Sequence, residues 1–182
     1  MGNLVMSNGP TASPLLPVVR RAMSTLDLMN LGFYTEAFVS LFAVTDDITQ
    51  SVVKAGLTQK GVSEKEQNEL LRSIKERRLE MYLGSLLKLA GWTGLNDADP
   101  DLFKALLRVN ATRNSVMHRA SDVRRQEAIE SCNVLFRVLG WLDTNPFGVR
   151  TGRFPKIDLA RFTFGIPKSL RDLRASRSTA VD

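Results

Sequence analysis

Arg113, Asn114 and His118 lie within six residues of one another, and His118 is the only histidine of the 182-residue chain. A neutral imidazole accepts a proton near neutral pH and an imidazolium donates one. A guanidinium binds phosphate or carboxylate oxygens through a planar fork of donors, and a carboxamide can orient either group or donate to an oxygen. These residue types therefore indicate proton transfer beside an anionic group such as a phosphate.

The three side chains are expected to end a helix that begins at Asp99 and Pro100, which are typical N-cap and first-turn residues, and runs to about His118. Counting about 100° per residue places Asn114 in the middle of one face and Arg113 and His118 on its two flanks. The same face is expected to be core at its start, at Phe103 and Leu107. Buried polar groups without partners cost several kcal/mol, so this patch must meet the fold, a second subunit or a ligand.

Two further residues are expected to support the patch. Asn110 falls one turn earlier on the same face, and Asp46 borders the core face of the second helix, where a salt bridge to Arg113 is predicted. Asp47 points about 100° away from Asp46, so the two carboxylates cannot share a proton. In the alternative, purely structural interpretation, the Arg and Asn side chains bind backbone carbonyls, and His118 is an exposed residue favoured by the helix dipole.

The chain length fits one domain that buries roughly 70% of its unfolded surface. One Cys and one His exclude a disulfide framework and an ordinary structural zinc site. Neither a metal nor a cofactor is predicted. No apolar run approaches the roughly 18 residues that a membrane helix needs, and the first 17 residues lack the features of a secretory signal. These features predict a soluble cytoplasmic protein with no membrane association.

Three regions are predicted: a loose N-terminus over 1–13, a helical domain over 14–142 and a basic extension over 143–182. Apolar residues recur at helical spacing throughout the domain, and Gly56 is expected to end the second helix. The short connections favour an all-α, antiparallel up-and-down bundle of about five helices. Their expected bounds are about 14–31, 35–55, 63–91, 99–118 and 122–142.

The C-terminal extension carries eight Lys or Arg and four Asp or Glu, so it supplies +4 of the formal net charge of +6. Five apolar residues stand at near-alternate positions in it, which predicts a partly extended segment that packs on the bundle or on a second subunit: Ile157, Leu159, Phe162, Phe164 and Ile166. A basic segment attracts phosphates of any sequence. The predicted RNA-binding residues are Arg119, Arg150, Arg153 and Arg161, and a solvated extension is the equal alternative.

An Arg, a polar residue directly after it, three further residues and a His, near the end of the penultimate helix of an all-helical domain, resemble the HEPN superfamily (higher eukaryotes and prokaryotes nucleotide-binding domain). Many HEPN domains are metal-independent ribonucleases. The resemblance implies that Arg113, Asn114 and His118 are catalytic, that two protomers form one composite cleft, and that the protein is a toxin or an antiviral effector with a possible antitoxin or regulatory partner. HEPN toxins silenced by a nucleotidyltransferase antitoxin have a Tyr two residues after the His, where this chain has Ala120.

Two other functions remain open on the sequence. One is a non-catalytic HEPN-like module that uses the same groove for binding or dimerisation, although the intact Arg, Asn and His argue against it. The other is a nucleic-acid-binding accessory protein that acts through basic residues of the extension: Arg150, Arg153, Arg161, Arg171 and Arg174. Steep loss of binding with added salt, unaffected by His118→Ala, would favour the accessory protein.

Overall fold

The computed structural model describes residues 16–74 and 78–150, with side chains from 19 to 74 and from 79 to 150. Every regular element in these ranges is helical, so the predicted all-α fold is confirmed. The helices are α1 (Leu16–Asn30), α2 (Tyr34–Gln59), α3 (Glu64–Ser73), α4 (Arg78–Met81), a π-helical turn (Tyr82–Leu86), α5 (Leu87–Leu89), α6 (Leu95–Ala98), α7 (Pro100–Arg119) and α8 (Arg125–Leu142). The expected N-terminal region and most of the C-terminal extension lie outside the described residues.

Helix α2 is the centre of the bundle, and α1, α3, α4, α5 and α8 all pack on it. At one end, Val123 N, just before α8, donates to Thr35 Oγ1 over 2.9 Å. At the other end, Gln59 Nε2 donates to Phe147 O, just after α8, over 3.4 Å. Helices α2 and α8 therefore run in the same direction, and α7 lies antiparallel to α8, because the short turn at 120–124 joins them.

The predicted third helix is broken into two helical segments, α3 and the segment formed by α4, the π-helical turn and α5. Its start is confirmed: Ser63 Oγ accepts from Glu66 N, while the Ser63 hydroxyl and N–H donate to the Glu66 carboxylate and lower the pKa of that carboxyl. Ile74 then adopts extended backbone, with ψ 96°, and α3 ends. An unbroken helix over 63–91 would be roughly 43 Å long, longer than α2. The break allows α4, the π-helical turn and α5 to pack their apolar residues against α2 instead.

The prediction that Gly56 ends the second helix is wrong, because α2 continues to Gln59. Gly56 is instead a point of close packing. A Cβ built there would lie 2.7 Å from Ala90 Cβ and 2.8 Å from the ring of Phe147. Phe147 is also in edge-to-face contact with Trp92. The glycine thus gives the end of α5 and the chain after α8 access to the backbone of α2.

We expect Gly56→Ala to lower the free energy of unfolding by about 1–3 kcal/mol, because the overpacking outweighs the roughly 1 kcal/mol gain in helix propensity. Urea unfolding followed by circular dichroism measures this change. Gly140→Ala is the matched control, since Gly140 lies in α8 with open space where its Cβ would be; it should stabilise the chain by about 0.5–1 kcal/mol. Equal stabilisation by both substitutions would contradict the packing role of Gly56.

Cys132 is fully buried in α8, and burial raises the pKa of its thiol from 9.0 to about 12. The unfolded chain therefore loses this proton at a lower pH than the folded protein does. The corresponding stability is present below pH 9 and is lost as the pH rises from 9 toward 12. In urea titrations over this interval, the wild type should lose more stability than Cys132→Ala. An identical alkaline loss in both proteins would refute the assignment.

Candidate functional site

Helix α7, which carries the three motif residues, has well-defined ends. Asp99 Oδ1 accepts from Leu102 N over 2.9 Å, and Pro100 occupies the first turn, as the sequence predicted. Ala120 ends the helix in the left-handed conformation, with φ 49° and ψ 36°. Alanine adopts this conformation at a cost of roughly 1 kcal/mol, so the surrounding contacts must hold the turn. The chain therefore changes direction two residues after His118.

The core face of α7 differs from the predicted one. Leu102, Leu106 and Val109 are buried, whereas Leu107, expected in the core, is 37% exposed. The helix is thus rotated by about 100° from the expected orientation. The prediction failed because one helix carries apolar residues on two neighbouring faces, and the sequence pattern does not tell which one meets the bundle.

This rotation places Arg113 on the side of α7 that faces α2. The side chain is half-buried, and its Cζ lies 5.8 Å from the ring centroid of Phe42 on α2. Its Nη1 also donates to Asn114 Oδ1 over a long 3.3 Å. A cation over an aromatic ring gains about 0.5–1 kcal/mol at an exposed site. The guanidinium is thus held at the edge of the bundle by a ring and a neutral oxygen.

Asn114 and His118 are exposed. With Leu107 and Ala111 they form a line at intervals of four, three and four residues, which we call the α7 stripe. Such spacing places side chains along one side of a helix and is typical of helix–helix contacts. Met117, next to the stripe, is 54% exposed. Arg113 lies about 140° around the helix from His118, so within one chain the two side chains do not share a face.

The two predicted supporting residues are half-buried. Asp46 on α2 accepts from Gln50 Nε2 over 3.1 Å. Asn110 lies one turn before Asn114, and its buried Nδ2 has no hydrogen-bond partner among the described residues. Neither residue is part of the exposed α7 stripe.

The turn after the motif is fixed at several points that the sequence analysis did not identify. The hydroxyl groups of Ser115 and Ser121 lie 2.9 Å apart and share a hydrogen bond. Thr112 Oγ1 donates to Glu127 Oε1 over 3.0 Å, which ties α7 to α8. The bond from Val123 N to Thr35 anchors the same turn to α2. The polar residues that flank this short interhelical turn were the signal in the sequence from which such anchors could have been predicted.

Among the predicted RNA-binding residues, Arg119 is exposed in the last turn of α7 and Arg150 is exposed at the end of the described chain. Arg153 and Arg161 lie outside the described residues. Sequence reasoning missed Arg124 and Arg125, which are exposed at the start of α8, close to the motif. Two consecutive arginines shortly after the motif were the available signal.

Comparison of the chain with protein-family models, curated proteins and solved structures finds no match. Within residues 16–74 and 78–150 no helix is long and apolar enough to span a membrane. The same ranges contain no group of three His, Cys, Asp or Glu residues placed to bind a metal ion. A functional assignment therefore depends on the geometry of α7 and the residues around it.

Proposed function

We propose that the protein is a metal-independent endoribonuclease of the HEPN type, in which two chains pair through the α7 stripe and form one RNA-cleaving groove. The observation that carries the proposal is the exposure of Asn114 and His118 on one side of α7, with the Arg113 guanidinium at the adjoining edge. An imidazole and a carboxamide without a covering element are accessible to a ligand. The biological role that the resemblance favours is that of a toxin or an antiviral effector.

The chemistry needs two proton transfers. His118 of one chain accepts the proton of a ribose 2′-hydroxyl, and the 2′-oxygen attacks the adjacent phosphorus. The bond from phosphorus to the 5′-oxygen breaks, and the protonated His118 of the second chain gives its proton to the departing oxygen. The products are a 2′,3′-cyclic phosphate and a 5′-hydroxyl end. Arg113 stabilises the charge on the non-bridging oxygens, and Asn114 orients the groups.

The pairing of two chains follows from the number of histidines. One imidazole cannot easily act as base and acid in the same turnover, and each chain has one His. The surface of α7 supports pairing because Leu107 in the stripe and Met117 next to it expose apolar surface. The small Ala111 permits close approach of a second helix. A two-fold axis near Asn114 would bring both copies of His118 to the same groove.

The test is to mix wild-type protein with inactive His118→Ala protein after shared unfolding and refolding, and to measure RNA cleavage in EDTA. If both copies are needed, an equal mixture contains about one quarter active dimers and retains about one quarter of the activity. Independent sites would retain about half, which would contradict the shared groove. A requirement for added metal, or no cleavage by the wild type, would refute the nuclease assignment. Exchange of subunits is verified with two differently labelled chains.

A further inference from the structure

The turn between α7 and α8 carries a group of cations that the catalytic scheme does not use. Arg119 is the last residue of α7, Arg124 is the N-cap residue of α8 and Arg125 is its first residue. All three side chains are exposed, and none forms an ion pair within the described part of the chain. We call these three residues the arginine corner.

Nearby acidic side chains cancel only part of this charge. Glu127 already accepts a hydrogen bond from Thr112, and Asp122 is exposed without an ion pair in the described ranges. Over residues 113–127 there are four Arg and two acidic residues. The surplus of positive charge lies in and around the turn that follows His118 in the chain. Guanidinium groups bind phosphate oxygens through two parallel hydrogen bonds and are the usual choice for such contacts.

The corner is also held in place. The hydroxyl pair of Ser115 and Ser121, the bond from Val123 N to Thr35, and the buried side chain of Val123 fix the turn against α7 and α2. The backbone that carries the arginines is therefore held by these three contacts. Preorganised cations lose less conformational entropy on binding than cations on a loose loop.

We propose that the arginine corner binds the phosphates of single-stranded RNA on one side of the scissile bond. This inference rests on the proposed nuclease function, because it takes His118 as the point where the strand is cut. A strand with its ribose at His118 must continue across the neighbouring surface, and the corner, which begins at the residue after His118, supplies cations at this end of α7. Single strands are favoured because unpaired nucleotides can be splayed out for in-line attack, whereas duplex RNA is constrained to A-form geometry.

The test measures binding of a fluorescein-labelled single-stranded RNA in the His118→Ala background, so that cleavage is not required. We expect Arg124→Gln with Arg125→Gln to weaken binding about tenfold or more at low salt and to reduce the slope of log affinity against log salt by about 1.4, the value for two phosphate contacts on a single strand. Lys substitutions at both positions should restore most of the slope. Circular dichroism verifies that the variants are folded.

Lys65→Gln with Arg72→Gln is the matched control, because it removes the same two charges from exposed positions on α3. It should change the affinity less than about twofold. If both double substitutions weakened RNA binding equally, or if the salt slope of the Arg124 and Arg125 variant were unchanged, the proposal that the arginine corner binds RNA phosphates would be wrong. Preferential binding of the duplex form of the same RNA would overturn the single-strand assignment. Loss of the nuclease assignment would be seen separately, as absence of cleavage by wild-type protein that still binds RNA through the corner.

Discussion

His118→Ala is expected to reduce RNA cleavage by about 10²- to 10⁴-fold, the usual contribution of a positioned general acid or base. Because both proton transfers use this residue, the loss should lie at the upper end. The substitution should leave the folded state intact, since the side chain is exposed. Cleavage of total RNA in EDTA, followed by gel analysis and by detection of 2′,3′-cyclic phosphate ends, measures the effect.

Arg113→Ala should also abolish most cleavage, but it removes the contact with Phe42 and will lower stability slightly. Arg113→Lys separates the two effects, because it keeps the charge and loses the planar fork. Lys104→Ala, at an exposed position on the same helix, is the control and should cleave RNA at the wild-type rate. Cleavage that survives both His118→Ala and Arg113→Ala would show that another site does the chemistry.

Ala111→Glu is expected to convert the protein into an inactive monomer. Ala111 lies in the middle of the α7 stripe and is exposed in the single chain, so a glutamate is accommodated without strain in the fold. In a two-fold dimer each glutamate would lose hydration against the second helix without an opposite charge to pair with, and burying an unpaired carboxylate is costly. Light scattering after size-exclusion chromatography measures the mass, and the RNA assay measures the activity.

Ser85→Glu is the control for this substitution, because it places the same charge on an exposed residue of the π-helical turn. It should leave the mass and the activity unchanged. A monomeric wild type that is fully active would exclude the shared groove. A dimer that persists in Ala111→Glu would mean that chains pair through another surface, even if His118 is catalytic.

The sequence predicted helix starts well, because a cap is a local interaction. Asp99 and Ser63 both cap as expected, and in each case the acceptor and the N–H that it binds lie three residues apart. Predictions that depended on tertiary contacts did worse. The pattern predicts a helix end at Gly56, whereas the close approach of Ala90 and Phe147 explains why a glycine stands there. No pattern within α2 reveals that approach.

The same limit applies to the candidate site. The residue types of Arg113, Asn114 and His118 and their helix were predictable. The difference in exposure, with Arg113 half-buried and Asn114 and His118 exposed, was not predictable, because it depends on which side of α7 packs on the bundle. The exposure of Leu107 shows the difference between the expected and the observed orientation. The anchors of the following turn also join distant segments, as in the bond from Val123 to Thr35, and only a folded chain brings them together.

The long bond between the Arg113 guanidinium and the Asn114 oxygen has a consequence for how a ligand enters. The acceptor is uncharged, so an arriving anion is a better partner and can take its place without movement of the helix. When the anion replaces Asn114 Oδ1 as the acceptor of the Arg113 hydrogen bond, the Asn114 carboxamide loses this partner. Binding of an anionic substrate to Arg113 would thus also allow the Asn114 side chain to turn toward the substrate. This would require no movement of a lid or loop.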